Sequence, residues 1–252
     1  MARILLVHGA FSNASVWDRV LPGLQAAGHR TEAIDLPGSG SDQTPVAEVT
    51  LAAYAKRIFR ALEEGPPAVV VGHSMGGMAV TQAAADRPER FTALIYVAAF
   101  LPADGQSLLD LTSLPEGADD QVQANLVVAG DPPVATLPAE AARLALYGSC
   151  DHEQLAWGVA RLGAQAVAPF LAPLIIEDRN RDAFAALARA YVLCKRDRAI
   201  PPELQTLMLS RAGCDPVVEL DTDHCPWISR AEELVAVLDR LAAEAREPAG
   251  AH

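Results

Sequence analysis

The residues best suited to chemistry centre on Ser74, which stands in the pattern Gly72-His73-Ser74-Met75-Gly76. Three valines precede this pattern and an alanine-rich run follows it, which predicts a buried strand, a sharp turn and a helix with the serine at the apex. A strained turn of this kind leaves no room for side chains at 72 and 76. The helix N-terminus stabilises negative charge that develops beside the serine. The pattern predicts a nucleophilic serine, and the alternative is a glycine-rich turn with an idle hydroxyl.

A serine hydroxyl is a weak nucleophile at neutral pH, so it needs a general base such as histidine. The chain contains six histidines. His224 follows the last predicted strand, where a loop can bring its imidazole over Ser74. His8 and His73 flank strand ends in the early half of the chain and can support the site. We therefore predict His224 as the base, the alternative being a surface loop histidine.

The histidine in turn needs a carboxylate that orients it. This acid is expected after the second-last strand, where Asp197 is the only carboxylate of its loop. Its alternative is a solvated partner for the neighbouring arginines. Asp221 and Asp223 share the loop of the histidine, and Asp104, near the end of an earlier strand, is the backup. We predict Asp197 as the acid.

Acyl transfer also requires two hydrogen-bond donors for the oxyanion of the transition state. Met75, directly after the serine, is expected to supply one backbone N–H. The loop after the first strand supplies the other, from Ala10 or Phe11.

These residues need a scaffold in which strands alternate with helices. Buried apolar runs predict strands that are separated by helical periodicity, and hydroxyl residues predict helix caps at Ser15, Thr50 and Ser229. This alternation indicates an α/β fold, a mostly parallel doubly wound sheet with its site at the carboxyl ends of the strands. The predicted strands cover residues 3–7, 30–36, 69–71, 92–100, 190–194 and 215–220.

The pattern changes between residues 102 and 182, where prolines recur and no buried β run appears. We predict a mostly helical cap there, inserted between core segments 1–101 and 183–246, with a flexible tail at 247–252. Apolar residues of the cap either line a pocket or pack against the core. The expected substrate-binding residues, which lie near the mouth of the site, are Phe11, Phe100, Leu101, Trp157 and Trp227.

Composition excludes several classes of function. The 252-residue chain has a formal net charge of −12 and only two lysines, so neither nucleic acid nor an anionic membrane is an expected partner. The spacing of His, Cys, Asp and Glu predicts no metal site, and no glycine-rich nucleotide loop follows a strand, so no cofactor is expected. The apolar run at 4–7 is too short for a signal peptide or a membrane span, and we expect a reducing, cytoplasmic setting.

The assembled motifs resemble the plant methylesterase and hydroxynitrile lyase family of α/β-hydrolases, with the salicylate-binding methylesterases most similar. The resemblance implies the α/β-hydrolase fold and spans most of the chain, although the cap matches least. The matching stretches lie at 6–10, 27–29, 35–36, 72–78, 98–102, 191–203 and 223–224.

The resemblance also implies the roles of single residues. Ser74, Asp197 and His224 take the positions of the catalytic triad, while Ala10 and Met75 take those of the oxyanion donors. Lyases of this family carry a threonine, a glutamate and a lysine where this chain has Gly9, His73 and Cys225.

We therefore predict a serine hydrolase that cleaves carboxylic esters of small apolar or aromatic substrates through an acyl-enzyme. The alternatives are a hydroxynitrile lyase, a lactonase or a C–C hydrolase with the same triad, and a non-catalytic receptor for a small ligand. The expected partner is a small-molecule ester, and a homodimer is compatible with the sequence. The residues do not name the acyl or alcohol group.

Overall fold

The structure is a computed structural model that describes residues 1–245. The expected tail at 247–252 lies outside the described residues. Six strands within residues 1–245 form one parallel sheet: β1 (Arg3–Val7), β2 (Arg30–Ile34), β3 (Ala68–Ser74), β4 (Phe91–Ala99), β8 (Ala188–Cys194) and β9 (Val217–Leu220). Their order across the sheet is β2-β1-β3-β4-β8-β9.

Helices cover both faces of the sheet. The connection from β1 to β2 runs in one direction and every later connection runs in the other, so right-handed crossovers place α1 on one face and α2, α3 and α9 on the opposite face. α11 packs against α1 and covers the same face. The helices of the core are α1 (Leu21–Ala26), α2 (Leu51–Leu62), α3 (Gly76–Asp86), α9 (Pro202–Ala212), α10 (Pro226–Ser229) and α11 (Ala231–Glu244).

This arrangement is the α/β-hydrolase fold predicted from the sequence. The strand order reverses between β1 and β3, and the crevice beside such a reversal is where ligands bind in parallel sheets. Both strands are buried along almost their whole length, as their valine- and leucine-rich runs predict. The sheet therefore brings the loop after β1 and the turn after β3 together.

The predicted helix caps have mixed outcomes. Thr50 caps α2 as predicted, accepting a hydrogen bond from the N–H of Ala53 at 3.0 Å. The cap predicted at Ser15 is wrong because Asn13 caps a 3-10 helix at Ala14–Arg19 and accepts the N–H of Ser15 itself. The cap predicted at Ser229 is also wrong because that residue ends α10.

Between β4 and β8 the chain forms five short helices joined by long irregular segments. The sequence of this segment shows no buried β run, yet β5 (Val127–Ala129), β6 (Val134–Thr136) and β7 (Gln165–Ala166) form a small antiparallel sheet. These strands are two or three residues long, too short for an alternating pattern to be seen. The boundaries 102 and 182 stay a prediction. The helices are α4 (Leu108–Thr112), α5 (Ala139–Ala145), α6 (His152–Val159), α7 (Ala168–Leu171) and α8 (Asp178–Ala185).

Two further properties concern partners and metals. No helix within residues 1–245 combines the length and the apolar character needed to cross a bilayer. Within the same residues, no cluster of three or more His, Cys, Asp or Glu side chains is arranged to hold a metal ion.

Candidate active site

Ser74 ends β3 in a left-handed backbone conformation, with φ at 56°. This conformation is uncommon for any residue other than glycine and indicates local strain. The flanking glycines permit the turn. A Cβ at Gly72 would lie 2.8 Å from Cγ2 of Val80, and one at Gly76 would lie 2.6 Å from the carbonyl oxygen of His8. The structure therefore supplies the physical reason for both glycines of the motif.

His224 lies in the loop between β9 and α10, and its ring is held by Asp197 from the loop after β8. The distance from Nδ1 of His224 to Oδ2 of Asp197 is 2.8 Å, and both side chains are buried. Because a carboxylate only accepts, Nδ1 carries the proton and Nε2 is left as the basic nitrogen. His224 and Ser74 line the same cavity.

Asp197 is itself held by four donors. Its Oδ1 accepts the backbone N–H groups of Ala199 and Ile200 at 2.8 and 2.9 Å. Its Oδ2 accepts Nε2–H of Gln205 at 3.2 Å besides the imidazole. This arrangement fixes the carboxylate plane and so the orientation of the histidine. Gln205 lies on α9, and nothing in the sequence singled it out.

His73 contacts the loop that carries His224. Its Nε2–H donates to the carbonyl oxygen of His224 at 2.8 Å, and the two rings lie 4.7 Å apart. Burial lowers the pKa of His73 well below its usual value, and the neighbouring His224 lowers it further. His73 is therefore a neutral donor that holds the backbone of His224, and the sequence indicated only that it can support the site.

The other carboxylates considered as the acid lie elsewhere. Asp104 is partly exposed and pairs with Arg181 at 2.9 Å. Asp221 pairs with Arg196 at 3.1 Å at the surface. Asp223 is buried, but it accepts the N–H of Ser149 at 2.7 Å and joins the loop of His224 to the cap.

Ala10 and Met75, predicted as oxyanion donors, both line the cavity beside Ser74. Met75 is the N-cap of α3, where the first N–H groups of a helix have no acceptor within it. Phe11, the other residue considered for the loop after β1, has φ at 59° and also lines the cavity. The backbone of this loop and the turn after β3 therefore face one space.

That space is a cavity between the sheet and the cap, with about 540 Å³ of space free of atoms, a volume that includes its opening to solvent. Its walls are mainly apolar, and the polar groups gather at Ser74 and at one side of the cap. The described lining residues outside the triad and the oxyanion positions are Phe11, Ser12, His73, Phe100, Leu108, Thr112, Asp120, Val122, Gln123, Leu126, Leu146, Phe170, Ala199, Ile200 and Cys225.

Two of the five predicted substrate-binding residues, Phe11 and Phe100, line this cavity, and the structure places the other three outside its described lining. Leu101 faces a separate cavity and its N–H contacts Sδ of Met208 at 3.3 Å. Trp227 is buried behind the site, with its ring 5.9 Å from that of His73. Trp157 packs on Trp227, with the ring centroids 6.1 Å apart. The two tryptophans therefore contact each other and His73, outside the described lining of the cavity.

Asp120 is the carboxylate in the described lining of the cavity, and the sequence did not indicate it. It is 4% exposed, in the segment between α4 and β5, and its Oδ1 accepts the N–H groups of Val122 and Gln123 at 2.7 and 3.0 Å. Burial raises the pKa of Asp120 to about 6. Asp119 beside it is exposed, so no sequence signal distinguishes the two.

The chain is similar in sequence to known proteins over almost its whole length. A family model described as the alpha/beta hydrolase family matches residues 4–237. Salicylic acid-binding protein 2 of Nicotiana tabacum is 28% identical over 94% of this chain and 96% of its own. In Arabidopsis thaliana, methylesterase 7 is 28% identical (95% and 96% covered) and alpha-hydroxynitrile lyase is 26% identical (95% and 96% covered). The resemblance predicted from the motifs is thus confirmed.

A solved structure has the same fold. The pyrethroid hydrolase from Sphingobium faniae JZ-2 superposes with a TM-score of 0.84 at 24% identity, covering 98% of each chain. A match at 24% identity shows a shared fold and no more.

Proposed function

The chain belongs to the alpha/beta hydrolase family, and we propose that it is a serine esterase whose triad is Ser74, His224 and Asp197. The observation that carries the proposal is the buried 2.8 Å contact between His224 and Asp197 beside a cavity that Ser74 enters at a strained turn. The methylesterases among its relatives support the same reaction class.

In the proposed mechanism Ser74 attacks the ester carbonyl while Nε2 of His224 takes its proton. Asp197 stabilises the imidazolium, and the N–H groups of Met75 and Ala10 bind the oxyanion. His224 then gives the proton to the leaving alcohol, which leaves an acyl-enzyme on Ser74. A water molecule, activated by His224, releases the acid in the same way.

The cavity supports small neutral esters with an apolar or aromatic part as the substrates. Phe11, Phe100 and Phe170 provide aromatic walls. Among its described lining residues there is neither lysine nor arginine, so a substrate carboxylate would be buried without a charged partner.

Cyanohydrin cleavage, the reaction of the lyase relatives, is disfavoured by two positions. A Cβ at Gly9 would lie 2.6 Å from the Cβ of Ser74, so the turn leaves no space for a side-chain hydroxyl there. Burial raises the pKa of Cys225 well above its usual value, so the residue after His224 is a neutral thiol. A neutral thiol at this position cannot stabilise departing cyanide as a cation beside the histidine would.

The test is a panel of p-nitrophenyl, methyl and lactone esters at pH 7–8, with mandelonitrile cleavage measured on the same preparation. We expect ester hydrolysis that falls on the order of 10³-fold or more in Ser74→Ala. Ser210→Ala, at an exposed serine of α9, is the matched control and should keep wild-type turnover.

Other reactions would give other patterns. Turnover of lactones alone would make the protein a lactonase, and a C–C hydrolase would leave all esters intact. Serine-dependent benzaldehyde release that rivals ester turnover would contradict the esterase. Slow labelling of Ser74 by a fluorophosphonate would favour a receptor with a misaligned triad.

A further inference from the structure

Asp120 places a carboxylate in the wall of a mainly apolar cavity. Its Oδ1 is occupied by two backbone N–H groups, whereas Oδ2 has no hydrogen-bond donor among the described residues. Oδ2 retains accessible surface although the residue as a whole is buried, and Asp120 lines the cavity. Oδ2 is therefore the acceptor that a bound molecule can use.

A backbone hydrogen bond joins the segment that carries Asp120 to the loop that carries Asp197. The N–H of Gln121 donates to the carbonyl oxygen of Arg198 at 2.8 Å, one residue from Asp197. This contact places Asp120 beside the triad, where the charge of His224 lowers its pKa and that of Asp197 raises it. The carboxylate is thus in a defined place relative to the reacting atoms.

The neighbouring polar side chains do not fill this role. Nε2–H of Gln123 donates to Oγ1 of Thr112 at 3.2 Å, so these two cavity residues partly satisfy each other. Asp120 is the charged acceptor in the described lining of this mainly apolar cavity.

We propose that Asp120 determines specificity by accepting a hydrogen bond from a hydroxyl group of the ester substrate through Oδ2. This inference rests on the proposed function and narrows its substrate class. A substrate carboxylate would be repelled by Asp120 and Asp197. An ammonium would pair with Asp120, but it would oppose the imidazolium that forms on His224 during catalysis. A neutral hydroxyl meets neither objection, and a hydrogen bond to a charged acceptor is among the stronger ones.

The experiment compares esters that differ by one hydroxyl. Methyl phenylacetate is the reference, and methyl mandelate with the three methyl hydroxyphenylacetates are the probes. At pH 8 we expect at least one probe to exceed the reference in kcat/KM by about tenfold or more. In Asp120→Asn, which retains Oδ1 for the two backbone N–H groups, this preference should fall to within about threefold, because kcat/KM of the probe falls more than that of the reference.

Asp119→Asn is the matched control, since it removes the same charge from the adjacent exposed residue. It should retain the full preference. No preference in the wild type, or one that survives in Asp120→Asn, would overturn the proposal. Equal losses of kcat/KM for probe and reference in Asp120→Asn would indicate a positioning role and would also contradict the proposal. A methyl (aminomethyl)phenylacetate with a higher kcat/KM than every hydroxyl probe would contradict it as well.

Binding separates this inference from the proposed function. Dissociation constants for the favoured probe and the reference are measured by calorimetry on Ser74→Ala and on the double variant with Asp120→Asn. A hydroxyl preference in binding that depends on Asp120, without hydrolysis by the wild type, supports the inference and contradicts the esterase. Hydrolysis of the reference ester, with no preference for a hydroxyl group in either kinetics or binding, supports the esterase and contradicts the role of Asp120.

Discussion

At the scale of single residues, the site depends on how a few polar atoms are held. Asp197 accepts hydrogen bonds from two backbone N–H groups and the side chain of Gln205, in addition to the one from His224. A carboxylate held in this way orients the imidazole without having to move. His73 holds the loop that carries His224, by donating to the carbonyl oxygen of that residue.

Asp197→Asn should lower kcat on the order of 10³- to 10⁴-fold. The amide keeps the shape, but its NH₂ group next to Nδ1 stabilises the imidazole tautomer that has no free Nε2. Asp104→Asn should stay within about twofold, because that carboxylate pairs with Arg181 at the surface. Steady-state kinetics on a p-nitrophenyl ester measures both, and the reverse ranking would move the acid to Asp104.

Asp120 should lower stability at neutral pH. Its pKa is about 6 in the folded protein and 3.8 is its ordinary value, so the folded state binds the proton more tightly. Stability therefore falls as the pH rises from about 4 to 6, and the loss is complete above pH 6.

Asp120→Asn removes this cost. We expect it to raise the free energy of unfolding by about 1–2 kcal/mol at pH 8, a gain that disappears near pH 4. Urea unfolding at several pH values checks this, with Asp119→Asn as the control. A gain that does not change with pH would show that the carboxylate charge is not its origin.

At the scale of elements, the site depends on the close crossing of β3, α3 and β4. A Cβ at Gly77 would lie 2.1 Å from the carbonyl oxygen of Phe100, which is backbone and cannot turn aside. The N–H of Phe100 in turn donates to the carbonyl oxygen of Ser74 at 3.1 Å. The helix can therefore approach the nucleophile only where its first residues lack side chains.

Gly77→Ala should push α3 away from the end of β4. We expect a loss of about 3 kcal/mol in stability, and a fall of roughly 6–12 °C in Tm, together with reduced kcat. Gly163→Ala is the control, because a Cβ there has no neighbouring atom within 4 Å. Differential scanning calorimetry and ester kinetics measure the two effects. An unchanged Tm in Gly77→Ala would contradict the packing argument.

At the scale of the whole molecule, the negative net charge disfavours the binding of anionic ligands. The chain carries a formal net charge of −12. The described lining of the cavity includes one carboxylate, that of Asp120, and neither lysine nor arginine. The long-range field and the local lining therefore act in the same direction.

A monoanionic half-ester should be a poorer substrate than its neutral methyl diester. Added salt screens the long-range part, so between 0.01 and 0.3 M NaCl we expect kcat/KM of the anion to rise roughly threefold. The neutral diester should change little over the same range. Initial rates across the salt series test this, and an anion that is preferred at low salt would contradict it.

Much of this molecule could be predicted from local patterns. The buried strands, the serine at the turn and the histidine after the last strand follow from short-range spacing, because apolar periodicity and glycines act within a few residues. The α/β-hydrolase fold was predicted correctly for that reason. Asp197 was preferred over Asp104 by its place after a strand, and that assignment stays a prediction of the sequence which the contact with His224 supports.

Other features were decided only by the tertiary structure. Asp119 and Asp120 are identical in type and adjacent, yet one is exposed and the other faces the cavity. Trp227 looked like a pocket residue and packs behind His73 instead. In both cases the outcome depends on the path of a loop and on contacts with residues distant in sequence, such as that between Gln121 and Arg198. Residue type and local spacing do not determine such contacts, because they form only when the cap closes over the sheet.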